Sequence, residues 1–176
     1  MLVYRGGDYD KRPKYQLEPF VHTLAATVAA AANGAQVFGL DLPEGKRLVG
    51  FAADEARQIL AALVAGYRAG QHGPLAFAPQ TSEAIAQALA DAADAGLALE
   101  KAQESWGRTA FKDQPAGEGL APAALLAWRD AAPFGEPYAE EWVRWAQRIA
   151  QPLRSWWGAG EPEAGARKKS PARRSV

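Results

Sequence analysis

The clearest pattern along the chain is an apolar stripe in residues 54–70. Ala56, Ile59, Leu60, Leu63, Val64 and Tyr67 follow one another at steps of 3, 1, 3, 1 and 3, the spacing of an amphipathic helix with one buried face. Asp54 opens this helix and Gly70 closes it. Upstream, Leu17, Phe20, Val21, Leu24 and Val28 recur at helical spacing, and Asn33-Gly34 supplies a stop. Pro19 is tolerated best in a first turn, where its missing N–H is not needed, so this helix is predicted to begin near Glu18. Between the two helices, residues 35–41 and 46–52 are short apolar runs with β-branched or aromatic members. Leu42-Pro43-Glu44-Gly45 joins them, and together they predict a β-hairpin. Residues 2–5 read as another short strand, cut off by Gly6-Gly7.

After Gly70 comes a stiff connector in which Gly73, Pro74 and Pro79 surround Leu75 and Phe77. Proline fixes its path, and the alternating apolar residues predict one buried side with Leu75 and Phe77 as its anchors. Thr81-Ser82 is expected to cap a helix running through Ile85, Ala88, Leu89 and Ala92, with Gly96 interrupting it before a continuation to Trp106. Residues 107–119 read as loop and residues 123–128 as a short apolar element. A final helix is predicted over residues 137–153, with Trp142, Trp145, Ile149 and Leu153 on one side. Trp142 and Trp145 read as core, whereas Trp156-Trp157, past Pro152, leaves open core or a partner surface.

Composition changes this picture in three ways. Hydrophobic residues make up 48% of the 176, but much of that share is Ala, so the core leans on its larger side chains, six Trp among them. The absence of Cys excludes disulfides and thiolate metal sites, in keeping with a cytoplasmic protein. The charge is zero overall but unevenly placed. Five of the 20 basic residues lie in residues 167–176, which hold no acid, so the remainder is about five charges negative. Residues 1–158 are therefore expected to form one domain and residues 159–176 a disordered basic tail. The opening residues lack a signal-peptide core, and the most apolar run, residues 24–32, is far short of the ~18 residues of a membrane span.

Candidate chemistry is sparse. Glu44-Gly45-Lys46 has the E-x-K spacing of a metal-dependent nuclease, in which carboxylates hold Mg²⁺ and Lys assists the attacking water. It falls on the hairpin turn, where a solvated turn is the favoured reading. Asp8 and Asp10 could share a strand face, but Gly6-Gly7 argues for a loop. Lys11, Arg12 and Lys14, interleaved with Tyr9 and Tyr15, form a basic patch with aromatics that could hold a phosphate backbone or stack on bases. His22 and His72 have no ligand-spaced company, so no metal or other cofactor is expected. Phosphate-loop, dinucleotide and nucleophile-elbow motifs are absent.

Residues 51–84 resemble the C-terminal region of the gamma subunit of exodeoxyribonuclease V, the RecC family. The carriers are Asp54-Glu55-Ala56 opening a helix, Gly66-Tyr67-Arg68-Ala69-Gly70 closing it, and Pro74-Leu75-Ala76-Phe77-Ala78-Pro79-Gln80-Thr81, similar to the family's P-L-x-F-x-P-x-[ST] connector. Lys101-Ala102 to Trp106-Gly107, Leu126-Ala127-Trp128-Arg129 and Pro152-Leu153 resemble further family elements in the same order. The helix in residues 17–32 matches less closely, with Phe20 for a Trp and Thr23 for a His. The resemblance extends over about residues 2–153.

What the resemblance implies is an α+β fold. It is a small mixed sheet with a β-hairpin packed by several helices, a degenerate PD-(D/E)xK nuclease-like fold without its catalytic residues, incomplete on the N-terminal side. It implies a non-catalytic DNA-handling and assembly module of the RecBCD helicase–nuclease, acting in double-strand break repair. The implied partners are RecB-like beta and RecD-like alpha subunits and DNA, with no membrane. Two other functions stay open: a stand-alone Mg²⁺-dependent nuclease using Asp8, Asp10, Glu44 and Lys46, and an interaction scaffold without DNA contact.

Overall fold

The computed structural model describes residues 13–37, 39–41, 47–110 and 116–159. Helix α1 spans Pro13–Ala32. Strands β1 (Gly39–Asp41) and β2 (Arg47–Val49) pair antiparallel, with Leu40 opposite Leu48. Helices α2 (Ala53–Gly70), α3 (Pro79–Ala90) and α4 (Ala95–Trp106) follow. A 3₁₀ turn (Glu118–Leu120) leads to the short α5 (Pro122–Ala127). The last helical stretch comprises α6 (Tyr138–Trp145), a π-helical turn (Ala146–Ala150) and α7 (Gln151–Ala159). The fold is thus mostly helical with one two-stranded antiparallel sheet among the described residues, compatible with α+β. The strand expected at residues 2–5 lies outside them.

Helix α1 starts earlier than its sequence suggests. Pro13, not Pro19, occupies the first turn, and Pro19 lies inside the helix, fully buried. Thr23 Oγ1 donates back to the Pro19 carbonyl at 2.8 Å, and Thr27 repeats the bond to the Thr23 carbonyl at 2.8 Å, so both buried hydroxyls are satisfied within the helix. The buried face runs through Gln16, Pro19, Phe20, Thr23, Leu24 and Thr27, so Leu17, Val21 and Val28 are only half-buried at its margins. The helix ends as Asn33-Gly34 foretold. Gly34 adopts φ 68°, and Ala35 N–H reaches the Ala30 carbonyl at 2.9 Å, a left-handed C-terminal cap.

Among the described residues, two apolar clusters make up the interior. In the first, Phe20 and Leu24 of α1, Leu48 of β2 and Ala56 and Ile59 of α2 meet Leu153, Trp156 and Trp157 of α7. Trp156 therefore belongs to the core. Its ring lies 5.4 Å from that of Phe20 and 5.7 Å from that of Phe51, and its Nε1 donates to the Val49 carbonyl at 2.7 Å. The second cluster joins Ala76, Ile85, Ala86, Ala88, Ala98 and Ala102 with Trp128, Trp142, Trp145 and Ile149. Trp142 is its centre, completely buried, with rings of Trp106 at 5.6 Å and Phe134 at 5.1 Å, and its Nε1 donates to the Pro133 carbonyl at 2.7 Å. Leu63 packs against both clusters.

The α2 stripe does not bury as its spacing predicts. Ala56 and Ile59 are buried, but Val64 and Tyr67 stand 48% and 70% exposed, and the buried position near the C-terminal end is Gly66. A Cβ on Gly66 would already touch the Trp145 ring at 3.4 Å. Helix α2 thus rotates its glycine, not its tyrosine, onto the large neighbour. The last helix also outruns the expected end at Leu153. Pro152 has no N–H for the Arg148 carbonyl, and the wider π turn before it, with Gln151 N–H on the Ala146 carbonyl, carries the helix on to Trp156 and Trp157.

Candidate functional site

The connector from α2 to α3 is held from both sides. Gln71 and His72 close the end of α2 through N–H bonds to the Arg68 and Ala69 carbonyls at 3.2 and 3.0 Å. Phe77 N–H then bonds back to the Leu75 carbonyl at 2.7 Å, a three-residue turn around Ala76. That turn buries Ala76 fully and leaves Leu75 and Phe77 half-buried against the second cluster. The anchors are therefore three consecutive residues rather than two alternating ones.

Helix α3 begins one residue after Ala78, with Pro79 in its first turn. Thr81 and Ser82 do not cap it as expected; both lie inside and are fully buried. The groups that satisfy its start are one within the helix and one far away in sequence. Ser82 Oγ accepts from Ala78 N–H at 3.3 Å. The carboxylate of Glu118, nearly forty residues on, accepts from Gln80 N–H at 3.0 Å, Thr81 N–H at 2.9 Å and the Thr81 hydroxyl at 3.0 Å. A negative group at a helix N-terminus is favoured by the unpaired N–H groups and the helix dipole. Nothing local in the sequence marks Glu118 for this role, because the bond is made across the fold.

One turn further, Glu83 sits beside this carboxylate. Burial raises its pKa above the ordinary 4.5, the Arg154 guanidinium opposes the rise, and Glu118 adds to it. Arg154 Nη2 donates to Gln87 Oε1, and Gln87 Nε2 donates to Asp91 Oδ2 at 2.6 Å. A polar chain thus runs from α7 along α3.

Helix α3 ends at Ala90 rather than reaching Gly96. Ala92 takes a positive φ of 63°, and Ala93 N–H returns to the Ala88 carbonyl at 3.0 Å. Asp94 then caps α4 by accepting from Leu97 N–H at 2.8 Å, which places Gly96 in the first turn of α4 instead of at the break. The paired α3 and α4 leave a groove of about 600 Å³ between their outer sides. Ala84 and Ala88 of α3 and Ala92 and Ala93 of the following turn line one part of it, and Lys101, Glu104 and Ser105 of α4 with Arg108 just beyond line another.

Of the residues singled out in the sequence, Lys14 lies exposed on the first turn of α1 with its Nζ 5.0 Å from the Tyr15 ring centre. Lys11 and Arg12 lie outside the described residues, as do Asp8, Asp10, Glu44, Lys46 and the basic tail. His22 is half-buried in α1 and His72 exposed in the connector. Among the described residues no three His, Cys, Asp or Glu side chains gather to hold a metal ion, and no helix is long and apolar enough to cross a membrane.

These observations define a helical domain with one hairpin whose polar groups chiefly join its helices. The family model described as the RecC C-terminal domain matches residues 1–90, and the chain belongs to that family. Membership associates it with RecBCD, a machine of DNA repair. No curated protein and no solved structure matches the chain.

Proposed function

We propose that the chain acts as a non-catalytic DNA-handling and subunit-assembly module of exodeoxyribonuclease V, the RecBCD helicase–nuclease of double-strand break repair by homologous recombination. The observation that carries this reading is the family match over residues 1–90, which takes in α1, the hairpin, α2, the connector and α3. In this reading the fold derives from a PD-(D/E)xK nuclease that has lost its catalysis. Residues 1–158 form the domain and residues 159–176 a basic extension. The partners are RecB-like beta and RecD-like alpha subunits in the cytoplasm. Lys11, Arg12 and Lys14 contact the DNA backbone, with exposed Lys14 at the start of α1 as the described member of that patch.

Co-purification with the beta subunit from the same source tests the assembly half. Failure to co-purify would overturn it. Forked DNA binding by the full chain tests the other half. The triple change Lys11→Gln, Arg12→Gln, Lys14→Gln is expected to weaken binding and flatten its salt dependence by up to about three phosphate contacts. Unchanged binding would remove the patch from the proposal, and no binding by the parent chain would favour a scaffold without DNA contact. Mg²⁺-dependent cleavage lost in Glu44→Ala would instead establish a nuclease.

A further inference from the structure

The groove between α3 and α4 has features of a small-ligand site that neither the family nor the DNA-handling reading uses. Its volume of about 600 Å³ falls within the ~300–1,000 Å³ typical of such sites. Ala84, Ala88, Ala92 and Ala93 line it with short side chains that leave space unfilled. Leu97 stands on its wall 45% exposed, an apolar side chain that an occupant would cover.

The lining carries two acids, Asp91 and Glu104, and two bases, Lys101 and Arg108, but they are not all paired with one another. Lys101 is paired with Glu104 at 3.0 Å, and Asp91 is engaged by Gln87 at 2.6 Å. Arg108, at one end of the groove, has no carboxylate partner among the described residues. Its Nη2 reaches only the Ser105 hydroxyl at 3.3 Å. Ser105 is nearly buried, 4% exposed, and its oxygen serves as acceptor in that bond, leaving its own proton to give. A guanidinium and a hydroxyl donor therefore converge at one end of a groove whose lining is part alanine and leucine, part polar.

We propose that this groove binds a small amphiphilic anion, with a flat apolar body against the alanines and its negative head against Arg108 and Ser105. Two probes separate the parts of that statement. 8-Anilinonaphthalene-1-sulfonate carries both the body and the head, and N-phenyl-1-naphthylamine carries the same body without the head. The full chain, labelled with ¹⁵N, is titrated with each, and amide shifts and probe fluorescence are followed. The sulfonate probe is expected to shift residues of α3, α4 and the turn between them, and to bind at least ten-fold more tightly than the neutral one. Arg108→Gln should cost the sulfonate about ten-fold in affinity, as expected for loss of a charged hydrogen bond, and leave the neutral probe unchanged. Ala88→Leu should exclude both. Should that variant not fold, Leu97→Gln, on the exposed wall, should weaken both probes equally. Shifts centred elsewhere, equal affinity for the two probes, or an Arg108→Gln protein that binds the sulfonate as well as the parent would each overturn the proposal.

Discussion

The two apolar clusters solve the same problem with different residues. Around α1, the hairpin and α7, the interior is built from bulky side chains, with Phe20, Phe51 and Trp156 in mutual contact and Leu24 and Leu48 filling between them. Around α3 and α4 the helix faces are largely alanine, with Ala86, Ala88, Ala98 and Ala102 buried beside Ile85, and most of the aromatic mass comes from Trp128, Trp142 and Trp145 on later segments, joined by Trp106 at the end of α4. Bulky faces interlock at a distance and leave little space. Alanine faces let backbones approach, and a groove remains where no large side chain reaches over them. The family match ends at residue 90, yet the first cluster is closed by Leu153, Trp156 and Trp157. The matched segment therefore depends on the far end of the chain for its own core.

This contrast can be tested by removing side chains from each side. The largest losses are expected at Trp142→Ala and Phe20→Ala, each about 3–5 kcal/mol by the usual cost of deleting a buried aromatic. Urea unfolding should show one transition shifted in both variants, because Leu63 and the continuous α6–α7 helix couple the clusters. Two separate transitions would show that the clusters fold independently. Next comes Glu118→Ala, which strips three hydrogen bonds from the start of α3. It should cost about 1–3 kcal/mol and raise amide exchange at Gln80 and Thr81 before other sites. A gain is expected at Ala92→Gly, because a Cβ in the left-handed region costs about 1 kcal/mol that glycine avoids. A fall in Tm in that variant would refute the strain assigned to the turn.

The smallest effect is expected at Glu83. Its folded pKa lies above its unfolded one, so the unfolded chain gives up this proton more readily, and the group's penalty on folding grows as pH rises through the unfolded pKa and is complete above the folded one. Below the unfolded pKa both states are protonated and the penalty disappears. Glu83→Gln should therefore be more stable than the parent at neutral pH, with the difference closing on acidification through the carboxylate range. A difference independent of pH would mean that burial is not its cause.

Much of this was legible from the chain. The hairpin, α2, the stop at Gly34, the core positions of Trp142 and Trp145 and the family of the connector all follow from spacing, turn residues and motif. The misreadings share a reason. Pro19 within α1, the exposure of Tyr67, the extension of the last helix and the true cap of α3 each depend on a group distant in sequence or on a choice among faces that helical periodicity leaves degenerate. For the candidate site, the sequence drew attention to Lys14, whereas Arg108 and Ser105 carry no pattern of their own.

By itself, then, the sequence determined which segments become helix or hairpin and to which family the chain belongs, because backbone preference and motif are local properties. The tertiary structure decided which face of each helix is buried, that Glu118 caps a helix it never adjoins, and that a groove partly lined by alanine stays open beside a guanidinium with no carboxylate partner among the described residues. Those outcomes depend on packing and on hydrogen bonds between residues far apart in the chain, where desolvation and donor geometry, rather than spacing, select the partner.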